Sequence, residues 1–199
     1  MVYKQTDDTP YYVPKLTVES QDNHIYFYTE IDEDRALALI QKLRWLDSML
    51  RQEAVTRELP EDYATPIWLH IHSPGGDVFP SFAIADQIQK IASPVYTVVE
   101  GMVASGATVI SVVGDKRFIA PSSYMMIHQL EAVMWGTHEE FKDDMILQEM
   151  LMDRITGHYK EHTKMTQTEI KSLLKHDSWF DAERAIKRGL ADELYERSS

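Results

Sequence analysis

Two adjoining stretches of the chain repeat one pattern: a short β-branched apolar run, a turn rich in glycine, and an apolar helical period. In the first, Ile67 to His72 leads into Ser73-Pro74-Gly75-Gly76, and then into a helix whose inner face is marked by Ile84, Ile88 and Ile91. In the second, Val95 to Val99 is followed by a turn spanning Gly101 to Gly106 and by a buried helix from Ala107 to Val113. Successive βα units require parallel strands joined by right-handed crossovers, so the chain reads as α/β with a largely parallel sheet. Ligands of such sheets sit beyond the carboxyl ends of the strands, where both glycine turns fall.

The remaining elements follow from the same periodicities. Residues 1–15 are polar and turn-rich and read as an N-terminal arm ahead of a single domain over 16–199. Ile25 to Tyr28 reads as the first strand. From Asp32 onward a helix places Leu39, Leu43, Leu46 and Leu50 on one stripe, which Leu37 and Trp45 widen. Arg117 to Ile119 and Tyr124 to Gln129 read as strands, and His128 falls at the end of the second. Thr137-His138-Glu139-Glu140 carries the capping-box pattern of a long helix reaching about His162, with Phe141, Met145, Met152, Ile155 and Tyr159 on one face. That length suits a projecting helix that packs on another subunit. Lys175 to Phe180 reads as a loop, and Ala182 to Arg188 as a helix stopped by Gly189.

Composition excludes several chemistries. The 199 residues include no cysteine, which removes disulfides, thiolate metal sites and cysteine nucleophiles. A formal charge of −12 argues against a nucleic-acid partner. No apolar run has the length of a membrane helix and the N-terminus lacks a signal-peptide core, so a soluble, cytoplasmic protein is expected.

Two constellations carry possible chemistry. His158-Tyr159-Lys160-Glu161-His162 matches the His-x-x-Glu-His spacing of some zinc peptidases, but no third ligand accompanies it and no metal is expected. The other is Ser105, His128 and Asp177. A serine hydroxyl becomes a nucleophile when an imidazole takes its proton and a carboxylate orients that imidazole. Ser105 lies at a helix N-terminus, where it is either a nucleophile or only a cap; Asp177 is either the orienting carboxylate or a loop residue. Gly75 is either part of an ordinary turn or one donor of an oxyanion hole.

The segments Ile71-His72-Ser73-Pro74-Gly75-Gly76, Gly101-Met102-Val103-Ala104-Ser105-Gly106-Ala107 and Met125-Met126-Ile127-His128-Gln129 together resemble the proteolytic subunits of the Clp protease, the ClpP family. The stretch His176-Asp177-Ser178-Trp179-Phe180, ending in Gly189-Leu190-Ala191-Asp192, is similar to that family's closing segment. The resemblance implies a crotonase-like α/β subunit with a handle helix at about 137–162. It also implies a serine endopeptidase in which Ser105 is the nucleophile, His128 the base and Asp177 its orienter, with backbone N–H groups of Gly75 and Gly106 as the oxyanion hole. Family members form homo-oligomeric heptameric rings, often stacked as tetradecamers, and receive unfolded chains from an AAA+ unfoldase. The resemblance places Trp68 and His70 at the unfoldase-docking surface and assigns ATP use to that partner, with no cofactor for this chain. A non-catalytic ring subunit and a crotonase-fold acyl-CoA enzyme are the alternatives on the same fold. Several stretches depart from the family pattern, among them Leu130 in place of a proline, Glu131 to Gly136 in place of a glycine-rich segment, and Lys175-His176 in place of an acidic residue and an arginine that pair between rings. These departures lead us to expect a stacked form that is weak or pH-sensitive.

Overall fold

In the computed structural model, residues 18–60 and 63–196 are described. The N-terminal arm expected over 1–15 lies outside them. Among the described residues, eight strands and six helices follow in the order β1 (Val18–Gln21), β2 (His24–Tyr28), α1 (Glu33–Thr56), β3 (Ile67–Ser73), α2 (Val78–Lys90), β4 (Val95–Ala104), α3 (Gly106–Ser111), β5 (Lys116–Ile119), β6 (Tyr124–Ile127), α4 (His138–His162), α5 (Gln167–Leu173), β7 (Ser178–Asp181), α6 (Ala182–Arg188) and β8 (Glu193–Leu194). The main sheet runs β1-β2-β3-β4-β5-β8, and β6 and β7 branch from it. Every pairing is parallel except β1 with β2 and β6 with β7. The βα repeat therefore sets the sheet's direction, as its sequence requires.

Strand β4 is the branch point. Its first half, Tyr96 to Val99, pairs with β5, and its last residues, Met102 to Ala104, pair with β6. Between them the register against β3 shifts, and Gly101 takes φ 65°. Only glycine adopts that backbone without cost, and a side chain there would meet the His72 ring, since a Cβ on Gly101 would stand 2.7 Å from Nδ1. The glycine read as the start of a turn is thus a bulge within a strand, and the strand-to-helix turn is confined to Ser105. Two other expectations change for similar reasons. Ser178–Asp181 is a strand rather than a loop, because β6 supplies its hydrogen-bonding partner. Strand β1, absent from the sequence reading, forms as the hairpin mate of β2.

Alternation on the strands divides the sheet. Ile25, Phe27, Ile67, Leu69 and Ile71 are buried on the face that α1 and α2 cover, together with Leu39, Leu43, Leu46, Ile84 and Ile88. Leu37 and Trp45 do not belong to that core: they are 55% and 51% exposed, on the outer side of α1. Helix α4 begins with the expected capping box, in which Thr137 and Glu140 bond reciprocally. Only its C-terminal half, with Ile155, Thr156, His158 and Tyr159, is buried, whereas Phe141 and Met145 are exposed. Gly189 ends α6 in the left-handed conformation. Beyond it, Arg117 clamps the C-terminal segment by donating to the carbonyls of Val112, His162 and Gly189 and to both oxygens of Asp192. Burial acts to raise the Asp192 carboxyl and the guanidinium outweighs it, so the group lies below the usual carboxylate range.

Candidate active site

Ser105 follows the last residue of β4 and precedes the first of α3. Its N–H donates to Met126 O at 2.9 Å, while its carbonyl accepts from Thr108 N at 2.9 Å and from Thr108 Oγ1 at 2.6 Å. These bonds hold it at φ 54°, a conformation that costs a non-glycine residue about 1–3 kcal/mol. Ser105 occupies the cap position of α3, yet its side chain makes no capping bond. The hydroxyl points instead at His128, with Oγ 2.7 Å from Nε2. The cap reading does not describe this serine.

His128 and Asp177 meet through strand register. Ile127 pairs with Ser178 across the antiparallel β6–β7 ladder, so the next residues outward, His128 and Asp177, stand opposite each other. Nδ1 of His128 is 3.5 Å from Asp177 Oδ1, an ion-pair distance just beyond a good hydrogen bond. Catalytic hydrogen bonds are often long before substrate binds. Glu131 Oε1 lies 3.6 Å from the same nitrogen, a contact absent from the sequence reading although the glutamate is only three residues away.

The glycine loop presses against the serine. A Cβ on Gly75 would stand 2.6 Å from Ala104 O and 2.7 Å from Ser105 Cβ, so only glycine fits there. The Gly75 N–H, expected to face an oxyanion, instead donates to Ser73 Oγ at 3.1 Å. Gly75 and Asp77 both bond Ile31, Gly75 through its carbonyl and Asp77 through its N–H. The intervening Gly76 therefore turns its own N–H and C=O to the opposite side, where its carbonyl approaches Gly106. Gly76 N–H and Gly106 N–H have no acceptor among the described residues. These are the open donors beside Ser105.

A cleft of about 660 Å³ contains Ser105 and His128 and continues over an apolar floor that includes Val78, Val109, Leu151, Ile155 and Tyr159. Helix α4 is joined to α3 beneath it. The Tyr159 hydroxyl is 2.5 Å from Thr108 Oγ1, and His158 Nε2–H donates to Val109 O at 2.9 Å. His158, the first histidine of the His-x-x-Glu-His spacing, is 5% exposed and is a core residue. Its ring lies 4.8 Å from that of His162, but among the described residues no cluster of three or more His, Asp or Glu side chains is placed to hold a metal.

On the sheet face away from α1 and α2, Trp68 and His70 stack with His24 and Tyr26 and pack at an angle against Phe118 and Tyr195. Trp68 is half-buried, but His70 is only 3% exposed and engaged on both ring nitrogens, by His24 at 2.9 Å and Glu100 at 3.0 Å. The His70 hydrogen bond is the main reason that the Glu100 carboxyl lies below its ordinary range. Of the two expected docking residues, only Trp68 offers much surface.

A serine hydroxyl bonded to an imidazole, at the carboxyl edge of a crotonase-like α/β sheet and beside two open backbone donors, is an arrangement of the hydrolase class. A sequence model of the Clp protease family matches residues 15–198. Over 174 residues the chain is 33% identical to the ATP-dependent Clp protease proteolytic subunit 1 of Chlamydia trachomatis, covering 85% of this chain and 84% of that protein. It is 32% identical to the corresponding subunit 1 of Protochlamydia amoebophila, covering 85% and 79%, and 29% identical to the proteolytic subunit of Deinococcus radiodurans, covering 89% and 82%. The chain belongs to the Clp protease family, and it is a peptidase of that kind. No helix among the described residues is long and apolar enough to cross a membrane.

Proposed function

We propose that the chain is a serine endopeptidase subunit of a self-compartmentalised ring protease, with Ser105 as nucleophile, His128 as general base and Asp177 as the carboxylate that orients it. The observation that carries this reading is the 2.7 Å contact between Ser105 Oγ and His128 Nε2. With the imidazole proton on Nδ1, facing Asp177, Nε2 is free to take the hydroxyl proton as Oγ attacks a scissile carbonyl. The tetrahedral oxyanion is received by the N–H groups of Gly106 and Gly76, the latter replacing Gly75 because Gly75 N–H is engaged by Ser73. His128 then passes its proton to the departing amine, and water hydrolyses the acyl-enzyme by the same route in reverse.

The relatives are named as subunits of ATP-dependent proteases, which supports work in an oligomer served by an ATP-driven unfoldase. Such a partner supplies unfolded chains, and this subunit needs no cofactor of its own. The assembly we propose is a heptameric ring, and the exposed Phe141, Met145, Ile146, Leu147 and Met150 support stacking of rings through α4. A soluble, cytoplasmic location fits the same assignment. The contact between Ser105 and His128 disfavours a non-catalytic ring subunit, and an acyl-CoA enzyme has no use for it.

A fluorophosphonate probe tests the roles directly. It is expected to label the wild type at Ser105, to fail on Ser105→Ala, and to react orders of magnitude more slowly with His128→Ala, because the groups act as a unit. Labelling that survives both substitutions overturns the assignment.

A further inference from the structure

Two carboxylates, not one, face Nδ1 of His128: Asp177 Oδ1 at 3.5 Å and Glu131 Oε1 at 3.6 Å. They arrive on separate supports. Asp177 is held where α5 gives way to β7, with Ser178 Oγ–H donating to Leu173 O at 2.8 Å. Glu131 belongs to the segment after β6, which is tied along α4 by Leu130 N–H to Met152 Sδ at 3.2 Å and by Gln148 Nε2 to Met134 Sδ at 3.1 Å. The histidine donates a single Nδ1–H, so one carboxylate accepts it at a time while the other acts through its charge. Both side chains are largely exposed, Asp177 at 66% and Glu131 at 80%, so neither is locked in place by packing and each is free to close the remaining gap.

We infer that Glu131 is a second positioning residue for His128, sharing with Asp177 the task of holding the Nδ1–H tautomer and stabilising the imidazolium that forms as Ser105 attacks. The inference rests on the assignment of Ser105 and His128 above. It predicts redundancy. Removing the lone orienting carboxylate of a serine protease typically lowers kcat by about 10⁴-fold, through loss of the productive tautomer. Here Asp177→Asn is expected to lose only about 10–100-fold, because Glu131 remains, and Glu131→Gln a few-fold, because Asp177 remains. The double variant is expected to lose about 10³–10⁴-fold, clearly more than the product of the single losses.

The experiment is a double-mutant cycle on the full-length assembled protein, measuring short-peptide hydrolysis and the rate of fluorophosphonate labelling of Ser105. The loss is expected in kcat, with KM unchanged, since Glu131 acts on the base. In the Asp177→Asn background, Glu131→Asp is expected to keep a large part of the activity that Glu131→Gln removes. Additive losses, a loss that appears in KM, or equal behaviour of Glu131→Asp and Glu131→Gln in that background would each overturn the role. Failure of the underlying assignment looks different: Ser105→Ala would then keep both hydrolysis and labelling, whatever stands at position 131.

Discussion

Replacing His158 by glutamine is expected to remove a specific part of the acid sensitivity of the fold. Burial is the main cause that lowers this imidazole from 6.5 to about 4; the nearby His162 and Arg154 lower it further, and the Val109 hydrogen bond and Glu161 oppose them. An unfolded chain takes up a proton at this histidine below about pH 6.5, whereas the folded chain refuses it until about pH 4. Stability from this group is therefore intact above 6.5, falls as the pH falls through that window, and levels off below 4. At pH 5 the gap is 1.5 pH units, and at 1.36 kcal/mol per unit it amounts to about 2 kcal/mol. Glutamine keeps an N–H for the Val109 carbonyl but cannot become charged. Urea unfolding at pH 7 and pH 5, at a fixed protomer concentration, should show a wild-type midpoint that drops by roughly 1 M more than that of His158→Gln. Other groups, such as Asp192 and Glu100, also cost stability in acid, but they do so equally in both proteins and cancel in the difference. If both proteins lose the same amount between the two pH values, the buried neutral imidazole is not the cause.

Two further substitutions probe the loop and the C-terminal clamp. Gly75→Ala places a Cβ against Ala104 O and Ser105 Cβ at a residue with φ 96°; we expect a loss of stability of about 2 kcal/mol or more, with peptidase activity falling alongside, by denaturant unfolding and peptide hydrolysis. Arg117→Lys keeps the charge but cannot serve three carbonyls and a bidentate carboxylate together. Its expected cost is about 2–3 kcal/mol, read as a fall in Tm of roughly 5–10 °C, against the near-zero effect typical of an exposed ion pair.

How far the sequence reveals these features depends on whether the signal is local. The capping box at Thr137, the glycine stop at Gly189 and the βα repeat are set by neighbours within a few residues, and the structure contains all three. Strand β7 was not legible, because Ser178-Trp179-Phe180-Asp181 becomes a strand only when β6 lies beside it. Gly101 misleads for the same reason: a glycine reads as a turn, but its φ of 65° here serves a bulge that lets β4 change partners. Leu37 and Trp45 are apolar and so read as part of the helix's stripe, but at 3.6 residues per turn they stand well away from Leu39, Leu43 and Leu46, outside the arc that α2 and the sheet cover. At the site, the resemblance of the segments around Ser105, His128 and Asp177 to the Clp family singles these residues out, where spacing alone leaves them open. The contact of Glu131 and the commitment of Gly75 N–H depend on side-chain and peptide orientations that no spacing encodes.

The geometry at Ser105 follows from sheet register, and this couples it to the core. Met125, Ile127 and Phe180 are buried on β6 and β7, and the register that buries them pairs Met125 with Phe180 and Ile127 with Ser178. It therefore leaves His128 opposite Asp177. On the other edge of β6, Val103 pairs with Met125 and Ala104 with Met126, which brings Ser105 N–H to the Met126 carbonyl. A slip of one residue on either ladder would turn Met125 and Ile127 out of the core as well as separating the three side chains. Exposing those two residues would cost roughly 1.5–3 kcal/mol each. The hydrophobic core thus selects the alignment of the site more strongly than any contact among Ser105, His128 and Asp177. On the assignment proposed above, the strands place the His128 ring, and the two long, exposed carboxylate contacts have only its tautomer left to choose.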